Sequence, residues 1–338
     1  MAGQPAGGQP LGGQPVDGQS MGGQPMGGLP AGAMVRPMRL DDSAAIQAHL
    51  AGHSVSLIGI HQYSPEGVAN FLRDPALNLD TDTWLVSIGD QVVGTAATVQ
   101  ASDRAGIEVT SADRAVADWL LGTAIEHATE RAREAGQTEL KVSLGILRSD
   151  RQLAELAELH GLALDTSTDR MKIEHTAPVE PPAVPAGVTV HRGASDETTR
   201  RAGHQVIAES FADQPGSTPR PYDDWVESRE SRSTFDWSGL TVLELAGRPV
   251  AVREWDRNFV SSDNCGYIGR IGVLAEARGR GLAKFLLRDQ FALDSAAGLA
   301  GTLLHVDTSN PTPAVGLYLS VGMRTDIVTD IYRARLRP

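Results

Sequence analysis

The chain has 338 residues, 41% of them hydrophobic, and a formal net charge of −12. That length leaves room for two domains with ordinary cores, and an acidic chain without a basic face argues against nucleic acid as a partner. The single cysteine, Cys265, excludes an internal disulfide framework; with no apolar run near the roughly 20 residues of a membrane span and no signal-like start, a cytoplasmic protein without a membrane partner is expected.

Residues 1–33 repeat Gly-Gln-Pro at 3–5, 8–10, 13–15 and 23–25. So little apolar surface cannot offset the entropy of ordering, and a disordered tail is expected. Residues 34–175 read as one α/β unit. A strand at 34–40 precedes a helix that Asp41 or Asp42 can cap, and Ser64-Pro65-Glu66 is a second helix start. Residues 83–88 and 91–97, joined by Gly89-Asp90, form a hairpin, followed by a short strand at 107–110. Apolar residues at 117, 120, 121, 124, 125 and 128 mark one face of a helix over 113–135. A strand at 140–145, a helix opened by Ser149 and a strand at 170–175 complete the unit. Residues 176–186 hold four prolines and read as a stiff linker.

Residues 187–338 run through the same order again. A strand at 188–191 leads to a helix from Ser195 to about Asp213 and another over 222–232. Strands at 240–245 and 249–255 form a hairpin, and an apolar strand at 267–273 runs into a glycine turn. A helix over 279–298, a strand at 301–307, a helix over 311–320 and a strand near 323–333 follow. One order of elements twice over implies two copies of one fold. The charge is uneven between them: residues 1–185 carry 12 Lys+Arg against 23 Asp+Glu, residues 186–338 carry 18 against 19.

The turn, Val273-Leu274-Ala275-Glu276-Ala277-Arg278-Gly279-Arg280-Gly281-Leu282-Ala283, joins a strand directly to a helix. That arrangement gathers unpaired N–H groups and the positive end of a helix dipole at one point, a phosphate-binding geometry. Gly279 and Gly281 let a ligand approach the main chain; Arg278, Arg280 and Lys284 add charge. A Walker loop is absent, and Lys284 stands where a dinucleotide fingerprint wants its third glycine.

What fits is Arg-x-x-Gly-x-Ala at 278–283, which resembles the acetyl-coenzyme A signature of the GNAT N-acetyltransferases. The following strand at 301–307, Asn310-Pro311, Leu317-Tyr318 and Gly322-Met323 resemble that family's second motif. The resemblance implies two tandem GNAT-like domains, α/β, each with a mixed, mostly antiparallel sheet flanked by helices. It implies acetyl-CoA as cosubstrate, with no metal. By resemblance, Ile271, Gly272 and Val273 pair with the pantetheine arm, Arg278, Gly279, Arg280, Gly281, Leu282, Ala283 and Lys284 surround the pyrophosphate, Asn310 orients the arm, and Tyr318 is the general acid. The 34–175 copy has Thr110-Ser111-Ala112-Asp113-Arg114-Ala115-Val116 in place of the loop. Without a glycine, and with Asp113 repelling a pyrophosphate, it is expected to be degenerate, leaving 187–338 as the catalytic domain.

The family's usual strand glutamate is missing from Cys265-Gly266-Tyr267-Ile268-Gly269-Arg270-Ile271. Glu254, Asp256 and His305 are therefore the candidate bases, with water-mediated deprotonation, or an amine that arrives already neutral, the alternatives. Cys265 beside Gly266 reads as structural. The expected function is acetyl transfer to the amine of a small molecule by a bacterial enzyme, monomeric or homodimeric. The two-copy order also resembles mycothiol synthase relatives, though those place an acceptor-binding carboxylate near Tyr267. A mycothiol synthase-like transferase and a CoA-binding regulator or scaffold without turnover are the alternatives.

Overall fold

The described residues form twelve strands, some alternating buried and open positions (β4, β5) and some buried in continuous runs (β3, β8, β9, β11), and they join into one sheet in the order β1-β2-β3-β4-β5-β12-β6-β11-β10-β9-β8-β7. The computed structural model describes residues 28–212, 220–309 and 314–338. In the first half, β1 (Ala33–Arg36) is followed by α1 (Ser43–Ile58), α2 (Pro65–Leu72) and α3 (Leu79–Asp82). Then come β2 (Thr83–Ile88), β3 (Gln91–Ala101), β4 (Arg104–Thr110), α4 (Arg114–Glu134), β5 (Leu140–Leu147), α5 (Arg151–Leu159) and β6 (Ala163–Glu174). The second half repeats the series with β7 (Val188–Arg192), α6 (Glu197–Ser210), α7 (Tyr222–Glu230), β8 (Leu240–Leu245) and β9 (Arg248–Asp256). It ends with α8 (Val260–Asp263), β10 (Cys265–Val273), α9 (Leu282–Ala296), β11 (Gly301–Asp307), α10 (Ala314–Ser320) and β12 (Arg324–Leu336).

The two halves exchange their last strands. β12 pairs antiparallel with β5 of the first half from Thr329↔Leu147 to Leu336↔Leu140. β6 pairs antiparallel with β11 of the second half from Gly301↔Glu174 to Asp307↔Thr168. β6 and β12 also pair with each other, so the linker connects two sheets that are continuous. Among the described strands only β4–β5 and β10–β11 are parallel, each over four register pairs. Such a pair needs a crossover, and α4 and α9 supply it, packing buried faces (Val116, Leu120 and Leu121; Phe285, Leu286 and Leu287) on the sheet.

Several helix starts differ from the sequence expectation by one residue. The side chains that cap α5 and α6 are Asp150 and Asp196, accepting from Leu153 N and Thr199 N, and not the neighbouring Ser149 and Ser195. Asp42 does not cap α1: Arg36 and the Arg39 N–H take its carboxylate, and a 3₁₀ turn precedes the helix. Ser64 caps α2 as expected. Residues 28–33, assigned by composition to the tail, take part in the fold: Leu29 packs on the core and Ala33 pairs with Ile88.

Candidate active site

β10 and β11 run together only from Cys265↔Gly301 to Ile268↔Leu304 and then separate. Beyond that point β10 stays paired with β9 alone, after a register shift between Ile268 and Arg270, and β11 stays paired with β6. The edge of β10 that faces the split therefore carries main-chain groups with no strand opposite. A cavity of about 680 Å³ fills the opening. Ile271, Gly272 and Val273 line it, with Leu304 to Asp307 on the other side. The end of α6 closes in over the strand, where a Cβ on Gly272 would collide with Ser210 Oγ.

The same cavity reaches the N-terminus of α9. Gly281 is the N-cap in the left-handed region at φ 76°, with no side chain capping the helix, and Gly279 has φ 75°. Among the described residues no side chain caps the first N–H groups of α9, which fits an anionic phosphate. Arg278, Gly279, Gly281, Leu282, Ala283 and Lys284 border the cavity. Arg280 is exposed and is not among its lining residues, and Arg278 Nε donates back to the Val273 carbonyl at 3.2 Å. Buried Arg253 on β9 fixes α9, donating to the Leu286 carbonyl at 2.9 Å and to Asp289 at 3.1 Å.

Tyr318 on α10 closes the cavity beside β11, packed with Leu304, Val306 and Met323. Burial pushes its hydroxyl up to about 12, so it holds its proton at neutral pH. His305 borders the cavity, and its Nδ1 shares a hydrogen bond with Tyr267 Oη at 3.1 Å. Burial, then the charge of Arg170, lowers the imidazole to about 4 and keeps it neutral. Asn310 lies outside the described residues.

Glu254 is 4% exposed and lies in an ion triad. Arg229 Nε and Nη2 donate to its two oxygens at 3.0 Å each, and Arg270 Nη1 donates at 3.1 Å. Burial pushes its carboxyl up, but the two guanidiniums outweigh that and hold it below the usual range. A carboxylate so held is a poor proton acceptor, and it does not line the cavity. Asp256 is raised to about 6 by burial and binds Asn258 N at 2.8 Å. Cys265 is buried, its thiol raised to about 11. Sequence reasoning passed over Arg229, Arg270 and Arg170. The signal was the Arg253-Glu254 pair inside an apolar strand, since buried charges must find partners.

Arg170, 2% exposed, comes from β6 of the first half. Its Nε donates to Asp326 of β12 at 2.9 Å, and Nη1 lies 3.5 Å from Asp263 of α8. At α4, the counterpart of α9, Asp113 accepts from Ala115 N at 2.8 Å and Val116 N at 3.1 Å. The chain's own carboxylate there occupies the place an anion would take. Among the described residues, no cluster of His, Cys, Asp or Glu could hold a metal, and no helix is long and apolar enough to cross a membrane.

The Acetyltransferase (GNAT) family matches residues 206–323. The mycothiol acetyltransferase of Thermobispora bispora is 32% identical over 187 residues, covering 53% of this chain and 61% of that protein. That of Frankia casuarinae is 34% identical over 156 residues, 44% of each chain. The chain thus spans roughly half the length of these two relatives. The mycothiol acetyltransferase of Streptomyces scabiei is 30% identical over 257 residues, 74% of this chain and 79% of its own. Among solved structures, a GCN5-related N-acetyltransferase from Sphaerobacter thermophilus superposes with a TM-score of 0.77 at 23% identity, over 92% of this chain and 98% of its own. A tandem GNAT protein from the clavulanic acid biosynthesis pathway gives 0.67 at 16%, over 90% and 99%. Both likenesses are of fold.

Proposed function

Because the chain belongs to the GNAT acetyltransferase family, we propose that its C-terminal half transfers the acetyl group of acetyl-CoA to the amine of a small molecule. One observation carries this reading: a single cavity joins the uncapped start of α9, the open edge of β10 and the Tyr318 side chain. The α9 N–H groups and Lys284 hold the pyrophosphate. The open edge of β10 at Ile271 to Val273 takes the pantetheine arm as a further strand would. A free N–H of that edge donates to the acetyl oxygen, where negative charge develops.

Tyr318 serves the departing sulfur. A phenol near 12 is a weaker acid than a thiol, ordinarily near 8.5, so full transfer of its own proton is uphill. The hydroxyl donates a hydrogen bond to the sulfur and passes a proton on as it gains one from the amine. Of the candidate bases, His305 borders the cavity and Glu254 and Asp256 do not. His305, held neutral, accepts a hydrogen bond from the incoming amine but removes its proton weakly. The acceptor is therefore an amine that arrives largely uncharged, and the rate rises with pH toward the amine's own pKa.

The name shared by the curated relatives favours a second reading, a mycothiol-type acceptor. Against it, β10 carries Tyr267 near the position at which the resemblance implies an acceptor-binding carboxylate. Thiol release from acetyl-CoA across a panel of amines, mycothiol precursor included, tests both. Turnover with at least one amine is expected, and Tyr318→Phe should lower kcat by roughly 100-fold with CoA affinity kept. CoA binding without turnover would leave a binding protein in place of an enzyme; no CoA binding at all would remove the whole assignment.

A further inference from the structure

The first half retains a split of its own. β4 and β5 run in parallel only from Arg104↔Lys141 to Ile107↔Leu144. Glu108 is the next residue along β4, at the place that Gly269 occupies beyond Ile268↔Leu304 in β10. The carboxylate missing from the fourth strand of the second half thus stands on the fourth strand of the first. It opens onto a cavity of about 430 Å³ between α1, α2 and the sheet, a volume in the range of small-molecule sites, roughly 300–1,000 Å³.

The walls are mostly apolar, with Leu50 of α1 and Phe71 of α2 facing β3 and β4. The hydroxyl residues Tyr63, Thr95, Thr110, Ser143 and Thr329 are set among them. Glu108 is the one carboxylate in this lining, and the lining contains no Lys or Arg. Desolvation alone acts on Glu108, and it raises the carboxyl pKa. Tyr63, which lines the same cavity, is raised by burial and then by the charge of Glu108. His49 of α1 is lowered by burial and engaged with the Thr110 carbonyl at 3.1 Å, so it offers no counter-charge. Glu108 is open to the cavity, and a carboxylate set among apolar walls without a cation is a ready partner for one that enters from outside.

We propose that this cavity is a second ligand site, taking a small organic monocation: an alkyl- or arylalkyl-ammonium whose nitrogen pairs with Glu108 and whose hydrocarbon body lies against Leu50 and Phe71. The site binds without acetylating, because Asp113 fills the helix N-terminus that would hold a phosphate. It is independent of the acyl-transfer reading and lies in the other half of the chain.

The test uses n-butylamine, benzylamine and cyclohexylmethylamine on the full-length protein at pH 7.5, read by calorimetry and by NMR. At least one amine should bind saturably, one per chain, in the presence of saturating CoA. The matching alcohols should bind at least about tenfold weaker, the loss of one charged hydrogen bond. E108Q should weaken the amine by a similar factor. A second variant keeps the carboxylate and removes the space: a Cβ at Gly106 meets only the Val99 carbonyl oxygen, at 3.9 Å, so Gly106→Val fills the cavity and should also abolish binding. Failure of all three amines to saturate overturns the proposal, as does binding that the alcohols share or that survives both variants.

Discussion

Glu108 and Glu254 are both strand glutamates, Glu254 buried and Glu108 open to its cavity, and their surroundings push them in opposite directions. Desolvation raises Glu108. At Glu254 desolvation is outweighed by Arg229 and Arg270, and the carboxyl is lowered. The two should therefore leave opposite marks on stability against pH. For Glu254, the stabilisation is present above the unfolded-state value near 4.3 and is lost as pH falls through the lower folded-state value. For Glu108, the cost is absent below that unfolded-state value and grows as pH rises from there toward the higher folded-state value. Glu254→Gln should cost about 3–5 kcal/mol at pH 7, the usual loss when a buried ion pair is broken, and should flatten the acid limb of the stability curve. E108Q should raise the denaturation midpoint at pH 7 and leave it unchanged near pH 3. Urea melts from pH 3 to pH 8 measure both; loss of stability on E108Q at neutral pH would mean that the carboxylate has a partner after all.

Two helices in equivalent places, α4 and α9, differ at their first residues, and on the proposed function that difference favours α9 for the anion. Asp113 satisfies two N–H groups of α4; α9 starts from a left-handed Gly281 without a side-chain cap. Asp113→Ala should cost about 0.5–2 kcal/mol of stability, the usual range for a lost N-cap, and leave CoA affinity unchanged. Gly281→Asp brings a carboxylate to the start of α9 and should weaken CoA about 100-fold, roughly 3 kcal/mol, with a small change in melting temperature. Calorimetry beside thermal melts separates the two effects, and an Asp at 281 that leaves CoA affinity intact would remove the anion site from α9. This contrast was legible in the sequence, because a glycine turn and an Asp at the same point of a repeat carry their meaning locally. Helix starts at Ser149-Asp150 and Ser195-Asp196 were legible only to within a residue: both side chains cap well, and tertiary packing selects between them. The triad around Glu254 was not legible, since its arginines come from α7 and β10, and neither carries a local mark of the other.

At the scale of the whole molecule, the exchange of β6 and β12 ties the first half to the chemistry of the second. Nothing in either strand's alternation names its neighbour, and the order of elements alone suggests two closed sheets; the pairing is long-range. β6 supplies the strand beside β11, and with it Arg170, which meets Asp263 and Asp326 and lowers His305. β12 supplies the edge that covers β5. Were the chain cut within residues 176–186, the second-half fragment would keep β12 with neither neighbour and leave β11 open along the edge opposite β10. Unpaired edges of that length are sites of association. Residues 187–338 alone should therefore aggregate or stay unfolded, lacking transferase activity, whereas co-expression with residues 1–175 should restore a soluble complex and thiol release. Size-exclusion chromatography and the acetyl-CoA assay read the outcome. A lone second half that is monomeric, folded and as active as the full chain would mean that the exchanged strands are an ornament of the sheet; the placement of Arg170 against two carboxylates, one of them on β12 itself, predicts that they are part of the site.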